Sequence, residues 1–174
     1  MDYFRYSDEY EKCYGIAGMA LGLVSSGNEH IMSSLSLDAN ADEVIFFTND
    51  YYFSGDPKMS PKESWQHIVR HFEVSMGMLI ANVMCRHYVL KHKGISPEIK
   101  TLLYNYLSEE GNLSCSLEKD EIQQMFDKAY NYYFRVFNHQ GVQSIARDFV
   151  SHVKKYRKLT RNEMIEQLHK LQSI

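Results

Sequence analysis

Two histidines near the middle of the chain have the spacing of a metal-binding pair. Glu63, His67 and His71 are separated by four residues each, so a helix presents all three on one face. Two imidazoles one helical turn apart can bind a divalent transition metal such as zinc. A third ligand would come from another part of the chain, where the candidates are His30, His139, His152 and the carboxylates.

The pattern lacks the neighbours that complete known helical metal sites. His67 and His71 are not accompanied by the glutamate of an HExxH motif, and no Glu-x-x-His pair on this segment indicates a di-iron bundle. Both histidines are also compatible with the exposed end of a core helix. We therefore assign no metal ligand, and a metal-dependent enzyme with a His67/His71 site is an alternative to the main prediction.

No nucleophile has the surroundings that catalysis needs. The serines include no G-x-S-x-G elbow. Cys13, Cys85 and Cys115 form no CxxC pair, and two of them lie in apolar helical patterns, where a free cysteine packs as a small hydrophobic residue. The sequence therefore predicts no catalytic residue and no cofactor. Whether the chain is an enzyme stays open at this point.

A concentrated basic segment lies near the end of the chain. Its cations are Arg147, Lys154, Lys155, Arg157, Lys158 and Arg161. Such clusters attract phosphate backbones through counterion release, so residues 147–161 are an alternative site for nucleic acid or another acidic partner. The residues predicted to bind that partner are Lys154, Lys155, Arg157 and Lys158. Because no nucleic-acid-binding module surrounds them, nucleic acid is not the expected partner.

The charge distribution offers a simpler account of the same cations. The net charge is −3, but residues 1–60 carry three basic and ten acidic side chains, whereas residues 147–174 carry seven basic and three acidic ones. Oppositely charged ends can face each other in the fold. We therefore expect the basic segment to form a solvated surface or to pair with the acidic first third of the chain.

One long helix is predicted around the two histidines. Ser60, Pro61 and Glu63 form a start signal, with a capping serine, a proline at the first helical position and a glutamate that reaches back. Apolar residues then recur every three or four positions to about His92, and from Val74 onward they occupy both sides of the helix. A helix of this kind is typical of the centre of a bundle.

The same helix is too polar to be a good membrane span. A transmembrane helix needs about 20 predominantly apolar residues. The apolar part of this segment is interrupted by Asn82, Arg86 and His87. The start of the chain also lacks a basic stretch followed by an apolar run, so no secretory signal is visible. We expect a cytoplasmic protein with reduced cysteines and no membrane partner.

The first predicted helix contains three glycines. Gly15, Gly18 and Gly22 lie within an apolar pattern that continues to Val24, and each costs a helix interior up to about 1 kcal/mol relative to alanine. Their spacing is not that of a dinucleotide-binding loop. The pattern instead predicts that a second helix approaches this face closely.

The remaining segments predict further helices and one ambiguous region. Helices are expected from Ser96-Pro97 to Gly111-Asn112, after Ser116, and after the capping box Thr160–Glu163. Residues 31–37 and 44–47 are short apolar runs, compatible with a small β-hairpin in residues 30–50. The second run is equally compatible with a helix that continues to Phe53, because short runs cannot be assigned by period alone.

Together these patterns predict a single all-α domain over residues 1–174. Five to seven helices form a bundle around one long central helix. The aromatic series from Tyr130 to Phe137 exceeds what one buried stripe needs, so some rings are expected to face a second surface. Since no convergent polar set is visible, we predict a non-enzymatic protein-interaction module that binds a protein partner or a second copy of itself.

Overall fold

The computed structural model describes residues 4–40, 44–52 and 58–173. In these ranges the chain forms six α-helices, α1 (Glu9–Ser25), α2 (Pro61–Met84), α3 (Pro97–Cys115), α4 (Lys119–Asn138), α5 (Gln140–Tyr156) and α6 (Arg161–Leu168). A π-helical segment, Cys85–Leu90, extends α2, and 3₁₀ turns lie at Glu29–Ile31 and His169–Ser173. The strands are β1 (Met32–Ser36), β2 (Ile45–Phe47) and β3 (Lys158–Thr160). The predicted helical bundle is confirmed.

Local capping explains where several helices begin. The hydroxyl of Ser60 accepts from the backbone N–H of Glu63, and the Glu63 carboxylate accepts from the N–H of Ser60. The same reciprocal pair joins Thr160 and Glu163 at the start of α6. Each box satisfies donors that the first helical turn would otherwise leave without partners. Both predicted starts are confirmed.

The core is built on a pair of helices, α1 and the second half of α2. Most of α1 from Glu11 to Leu23 is buried, and so is nearly all of α2 and its π-helical extension from Met76 to Val89. The first half of α2 differs from the prediction of a stripe that is buried throughout. Trp65 is 45% exposed there, and its indole N–H donates to the carbonyl oxygen of Cys115 at the end of α3 at 2.9 Å.

The glycine face of α1 lies directly against α2. A Cβ atom on Gly18 would stand 2.4 Å from the carbonyl oxygen of Ala81, and one on Gly22 would stand 2.7 Å from the Ala81 Cβ. Such contacts are impossible without separating the helices, so glycine is required at both positions. The predicted close approach of a second helix is confirmed.

Two glycines on different helices also make room for one tyrosine of α4. A Cβ atom on Gly22 or on Gly77 would come within 3.4 Å or less of the Tyr133 ring. The Tyr133 hydroxyl donates to the carbonyl oxygen of Gly22 at 3.4 Å. The ring therefore fits over the line where α1 meets α2. This fixes α4 against both helices of the pair.

A buried ion pair joins α1 to the π-helical extension of α2. Arg86 and Glu11 are each 4% exposed, and the Arg86 guanidinium lies 3.0 Å from the Glu11 carboxylate. Arg86 also donates to the carbonyl oxygen of Arg5 at 2.9 Å. Lys91 Nζ and the backbone N–H of Ser7 donate to the same carboxylate at 2.7 and 2.8 Å. The network thus holds the segment before α1 as well.

The three strands form a small antiparallel sheet in the order β2-β1-β3. Leu35 of β1 aligns with Ile45 of β2 and with Leu159 of β3, and all three side chains are buried. The predicted hairpin in residues 30–50 is confirmed, and the alternative of a helix starting at 44–47 is wrong. The third strand was not predicted, since three residues carry no detectable alternation.

One predicted helix end was wrong because glycine was taken as a stop. Helix α3 continues past Gly111 to Cys115. Glycine at this position allows the Phe72 ring to pack against α3, since a Cβ atom there would lie 2.6 Å from the ring. The helix ends instead at Ser116, whose φ of 54° is left-handed. The α2 extension ends at Leu90, just before His92 with its φ of 50°, close to the predicted end at about His92.

Helix α2 with its extension is long and apolar enough to span a membrane by composition. Over Pro61–Leu90 the mean hydropathy of an 18-residue window is 1.2, and 56% of that window is buried inside the fold. Core helices of globular proteins pass the same test. The expectation of no membrane partner therefore stays a prediction.

Substitution of Gly18 by alanine should separate the central helices. The added methyl group gains helix propensity but collides with the Ala81 carbonyl, and overpacking of this kind costs about 1–3 kcal/mol. Urea denaturation should show a net loss of stability. Gly94→Ala is the control, because a Cβ atom there meets only the Tyr88 hydroxyl at 3.8 Å. Equal stability of both variants would contradict the close-contact account.

Glu11 should make the stability of the fold dependent on acid pH. Burial alone would raise the pKa of its carboxyl, but hydrogen bonds from Lys91 and Ser7 and the charge of Arg86 lower it from the ordinary 4.5 to about 2. Because the folded pKa is depressed, the contribution is complete above about pH 4.5 and is lost as the pH falls to about 2. Its size is about 3 kcal/mol.

Denaturation curves of Glu11→Gln between pH 7 and pH 2 test this assignment. At neutral pH the variant should be less stable than the parent by a few kcal/mol, and the difference should shrink as the pH falls below 4.5. Glu109→Gln, at an exposed position of α3, is the control. A difference between parent and E11Q that does not change with pH would rule out the charged form of Glu11 as its source.

Candidate functional site

Two concave regions lie on either side of Tyr51. The smaller, which we call the histidine pocket, has a volume of about 430 Å³. Its wall includes Asn28, His30, Ile31, Asn49, Asp50, Tyr51, Tyr52, His67, Arg70 and His71. The larger, which we call the methionine groove, has a volume of about 1210 Å³. Both are places where the described surface is shaped to receive another molecule.

The histidine pocket brings together residues that are far apart in sequence. His67 and His71 lie on one face of α2, as predicted, and the 3₁₀ turn at Glu29–Ile31 adds His30. The turn after β2 contributes Asp50. His139 and His152 are elsewhere: His139 accepts from the N–H of Gly141, and the His152 ring packs on Tyr156.

This collection of side chains is not a metal centre as it stands. Among residues 4–40, 44–52 and 58–173, no group of three or more His, Cys, Asp or Glu side chains is arranged to hold a metal ion. His67 and His71 could still form a two-ligand site, the geometry of which is set by one turn of α2. A metal-dependent enzyme therefore stays an untested alternative.

Tyr51 forms the wall between the pocket and the groove. Its ring stacks on Phe47 with centroids 4.1 Å apart and lies 4.5 Å from the His71 ring. Its hydroxyl lies 2.9 Å from Ser75 Oγ on α2. Burial raises the pKa of Tyr51 and lowers the pKa of His71. Both side chains are therefore neutral at pH 7, and the wall between the two cavities carries no charge.

The methionine groove runs between α1, α2, α3 and β2. Its apolar lining includes Met19, Val44, Ile45, Phe47, Phe72, Met76, Met78, Leu79 and Leu107. Methionine side chains are flexible and polarisable, so a surface built from them can adapt to different apolar partners. The groove therefore has the lining expected of a protein-binding site.

Three of the five charged residues that line the groove have contacts within the chain that bear on its rim. Lys12 Nζ donates to the carbonyl oxygens of Leu37 and Ala39 at 2.9 and 2.8 Å. Asp8 caps α1 by accepting from the N–H of Glu11. Glu9 pairs with Arg157 at 3.1 Å. What the groove offers to another molecule is thus mainly apolar area.

An exposed apolar stripe on α3 borders the groove. Leu102, Tyr106 and Leu113 are 40%, 53% and 74% exposed, and their positions fall within about 40° of helical rotation. Tyr106 also lines the groove, where its ring lies 5.4 Å from that of Phe4. Tyr106 therefore belongs to both the stripe and the groove.

The basic segment at the end of α5 is partly used in folding. The Arg157 guanidinium bridges the carboxylates of Glu9 and Asp38, and its hydrogen bonds hold the pKa of both carboxyls below their ordinary values. Pairing with the acidic first third of the chain, expected from the sequence, is present at this residue. Binding of an acidic partner through the segment stays a prediction.

The three neighbouring lysines remain exposed at the surface. Lys154 lies over the Tyr10 ring at 4.6 Å and Lys155 over the Tyr156 ring at 4.9 Å. Lys158 lies at the start of β3. Because Arg157 is already engaged with two carboxylates, these lysines are the members of the predicted set whose charges face solvent.

The three cysteines lie in surroundings that disfavour the thiolate. Cys13, Cys85 and Cys115 are free and buried, and burial raises the pKa of each thiol above its ordinary value. A thiol with a raised pKa carries little thiolate at neutral pH. The packing role predicted for them agrees with this environment.

Comparison with known proteins gave no match. No family model matches the sequence, and neither a curated protein nor a solved structure matches it. The groove, the histidine pocket and the basic segment are therefore interpreted from their geometry alone.

Sequence reasoning found part of the pocket and missed the groove. The i, i+4 spacing identified His67 and His71, and His30 was among the candidate partners. Asp50 and Arg70 belong to no sequence motif that would have identified them as pocket residues. The groove could not be predicted either, because its lining residues come from four separate elements. Within each element their spacing is the same as that of ordinary core residues.

His71 should titrate below the ordinary histidine value of 6.5. The imidazole is partly buried against Tyr51, and burial disfavours its charged form, which lowers the pKa. An NMR pH titration of the imidazole Hε1 resonances should give a midpoint below 6.5 for the signal that disappears in His71→Gln. A midpoint at or above 6.5 would show that the ring is better solvated than the fold implies.

Proposed function

We propose that this protein is a non-enzymatic interaction module that forms a homodimer through the methionine groove and the α3 stripe. The observation that carries the proposal is their adjacency: Leu102, Tyr106 and Leu113 form an exposed apolar stripe that runs along the edge of an apolar groove. Contiguous exposed apolar surface of this kind marks interaction sites on soluble proteins.

The charge of the rim favours an apolar partner over a charged one. The Lys12 ammonium donates to two backbone carbonyl oxygens, and Glu9 forms an ion pair with Arg157. A highly charged partner would have to displace these contacts. A helix with an apolar stripe, such as α3 of a second copy, needs no such exchange.

Symmetry supports a second copy as the partner. In a two-fold dimer the same patch is used by both subunits, so it must be complementary to itself. A groove with a projecting apolar helix at its edge meets this condition, since α3 of each subunit can enter the groove of the other. Binding of a helix in an apolar groove is a common mode of protein recognition.

Methionine in the groove is consistent with this mode. Met76 and Met78 are buried and Met19 is partly buried, and all three line the groove. Flexible thioether side chains can close around an inserted leucine or tyrosine without a change of backbone. The proposal therefore needs only side-chain adjustment of the groove.

The homodimer is tested with two charges placed in the α3 stripe. Leu102→Glu/Leu113→Glu changes two exposed positions, so the fold should persist, as circular dichroism would verify. Sedimentation velocity should show a dimer for the parent and a monomer for the variant. A fully buried glutamate in an apolar interface would weaken association by at least about a hundredfold.

Asn105→Glu provides the matched control. It adds charge to an exposed position of α3 that lies outside the stripe, so the dimer should persist. A parent protein that is monomeric at every concentration tested would overturn the homodimer. A double variant that dimerises as well as the parent would locate the interface elsewhere.

A further inference from the structure

We propose that the histidine pocket binds a small zwitterion carrying a planar ring, the chemical class of the aromatic α-amino acids. The inference goes beyond the proposed dimer, since it concerns the opposite side of Tyr51. It rests on two side chains of opposite charge, Arg70 and Asp50, that line the same pocket without pairing.

The two charges are the first element of the argument. Arg70 and Asp50 are both exposed, and neither forms an ion pair within the part of the chain that the structure describes. An arginine fork binds a carboxylate with two parallel hydrogen bonds, and an aspartate accepts from an ammonium group. A ligand with one group of each sign satisfies both residues at once.

The balance of charge distinguishes a zwitterion from a simple anion. Counted with its three histidines neutral, the pocket wall includes one arginine and one aspartate, and these permanent charges cancel. Burial lowers the pKa of His71, which adds no positive charge at neutral pH. A phosphate or another dianion would face Asp50 with no excess of positive charge to offset the repulsion. A ligand of zero net charge avoids this cost.

The remaining wall suits a planar ring. Tyr51, Tyr52 and His71 provide aromatic surface, with Tyr52 57% exposed and set edge-on to the Tyr51 ring at 5.3 Å. Ile31 adds a buried aliphatic side chain. A volume of about 430 Å³ lies within the range of small-molecule sites, about 300–1,000 Å³. Ring contact and charge pairing can therefore occur together.

Isothermal titration calorimetry at pH 7.5 with L-tryptophan and L-phenylalanine tests the proposal. At least one of them should bind, and the singly charged analogues tryptamine and 3-phenylpropionate should bind at least about tenfold more weakly, because each leaves one pocket charge unpaired. If neither amino acid binds, or if 3-phenylpropionate binds as tightly, the proposal is overturned.

Single substitutions in the pocket wall, with matched controls outside it, test which residues contact the ligand. Arg70→Gln and Asp50→Asn should each weaken binding by about tenfold or more, whereas Tyr52→Ala should weaken it by about two- to tenfold. Lys62→Gln and Glu73→Gln, on α2 but outside the pocket wall, should leave it unchanged. Equal affinity of R70Q, D50N and the parent would place the ligand elsewhere.

Two further conditions separate this site from the other interpretations. Titration in the presence of EDTA should give the same affinity. Binding only in added zinc would mean that a metal bridges the ligand, and direct charge pairing would be wrong. The monomeric variant Leu102→Glu/Leu113→Glu should bind like the parent, so a failed dimer and a failed ligand site are distinguishable.

Discussion

The contact on which the rest of the fold depends is the buried pair of Glu11 and Arg86. Taking two charges out of water costs several kcal/mol per ion, and only a complete set of partners offsets that cost. Here Lys91, the Ser7 N–H and the carbonyl oxygen of Arg5 supply them. The network specifies one register between α1 and α2, because a shift by one turn would leave Arg86 among apolar side chains.

The glycine face of α1 reinforces the same register from apolar packing. Gly18 and Gly22 lie so close to Ala81 that a Cβ atom at either position would overlap it, so α1 and α2 are in direct contact along this face. This tight contact leaves little space at the centre of the molecule. Cavities consequently occur at the periphery of the pair, where α2 meets β2, the turn that follows it and α3.

Local signals in the sequence were sufficient for the helices and for part of the candidate site. Capping at Ser60 and Thr160, and the i, i+4 spacing of His67 and His71, depend on residues close together in the chain. Contacts between residues distant in sequence could not be predicted. Strand β3 forms because Leu159 pairs with Leu35 of β1. Helix α3 continues through Gly111, where the Phe72 ring occupies the position that a Cβ atom would take. One sequence contains no record of which distant residues meet.

The position of the two cavities follows from the difference between helix–helix and helix–loop contacts. Ridges of one helix fill the grooves of another, and α1, α2 and α4 are in close contact around Gly22, Gly77 and Tyr133. A three-residue strand and a turn cannot fill a helix face in this way. Tyr51 is the side chain that joins this region to α2, through Ser75 and His71, and concave surface remains on both sides of it. Concave surface in this protein therefore forms where irregular chain meets a regular helix.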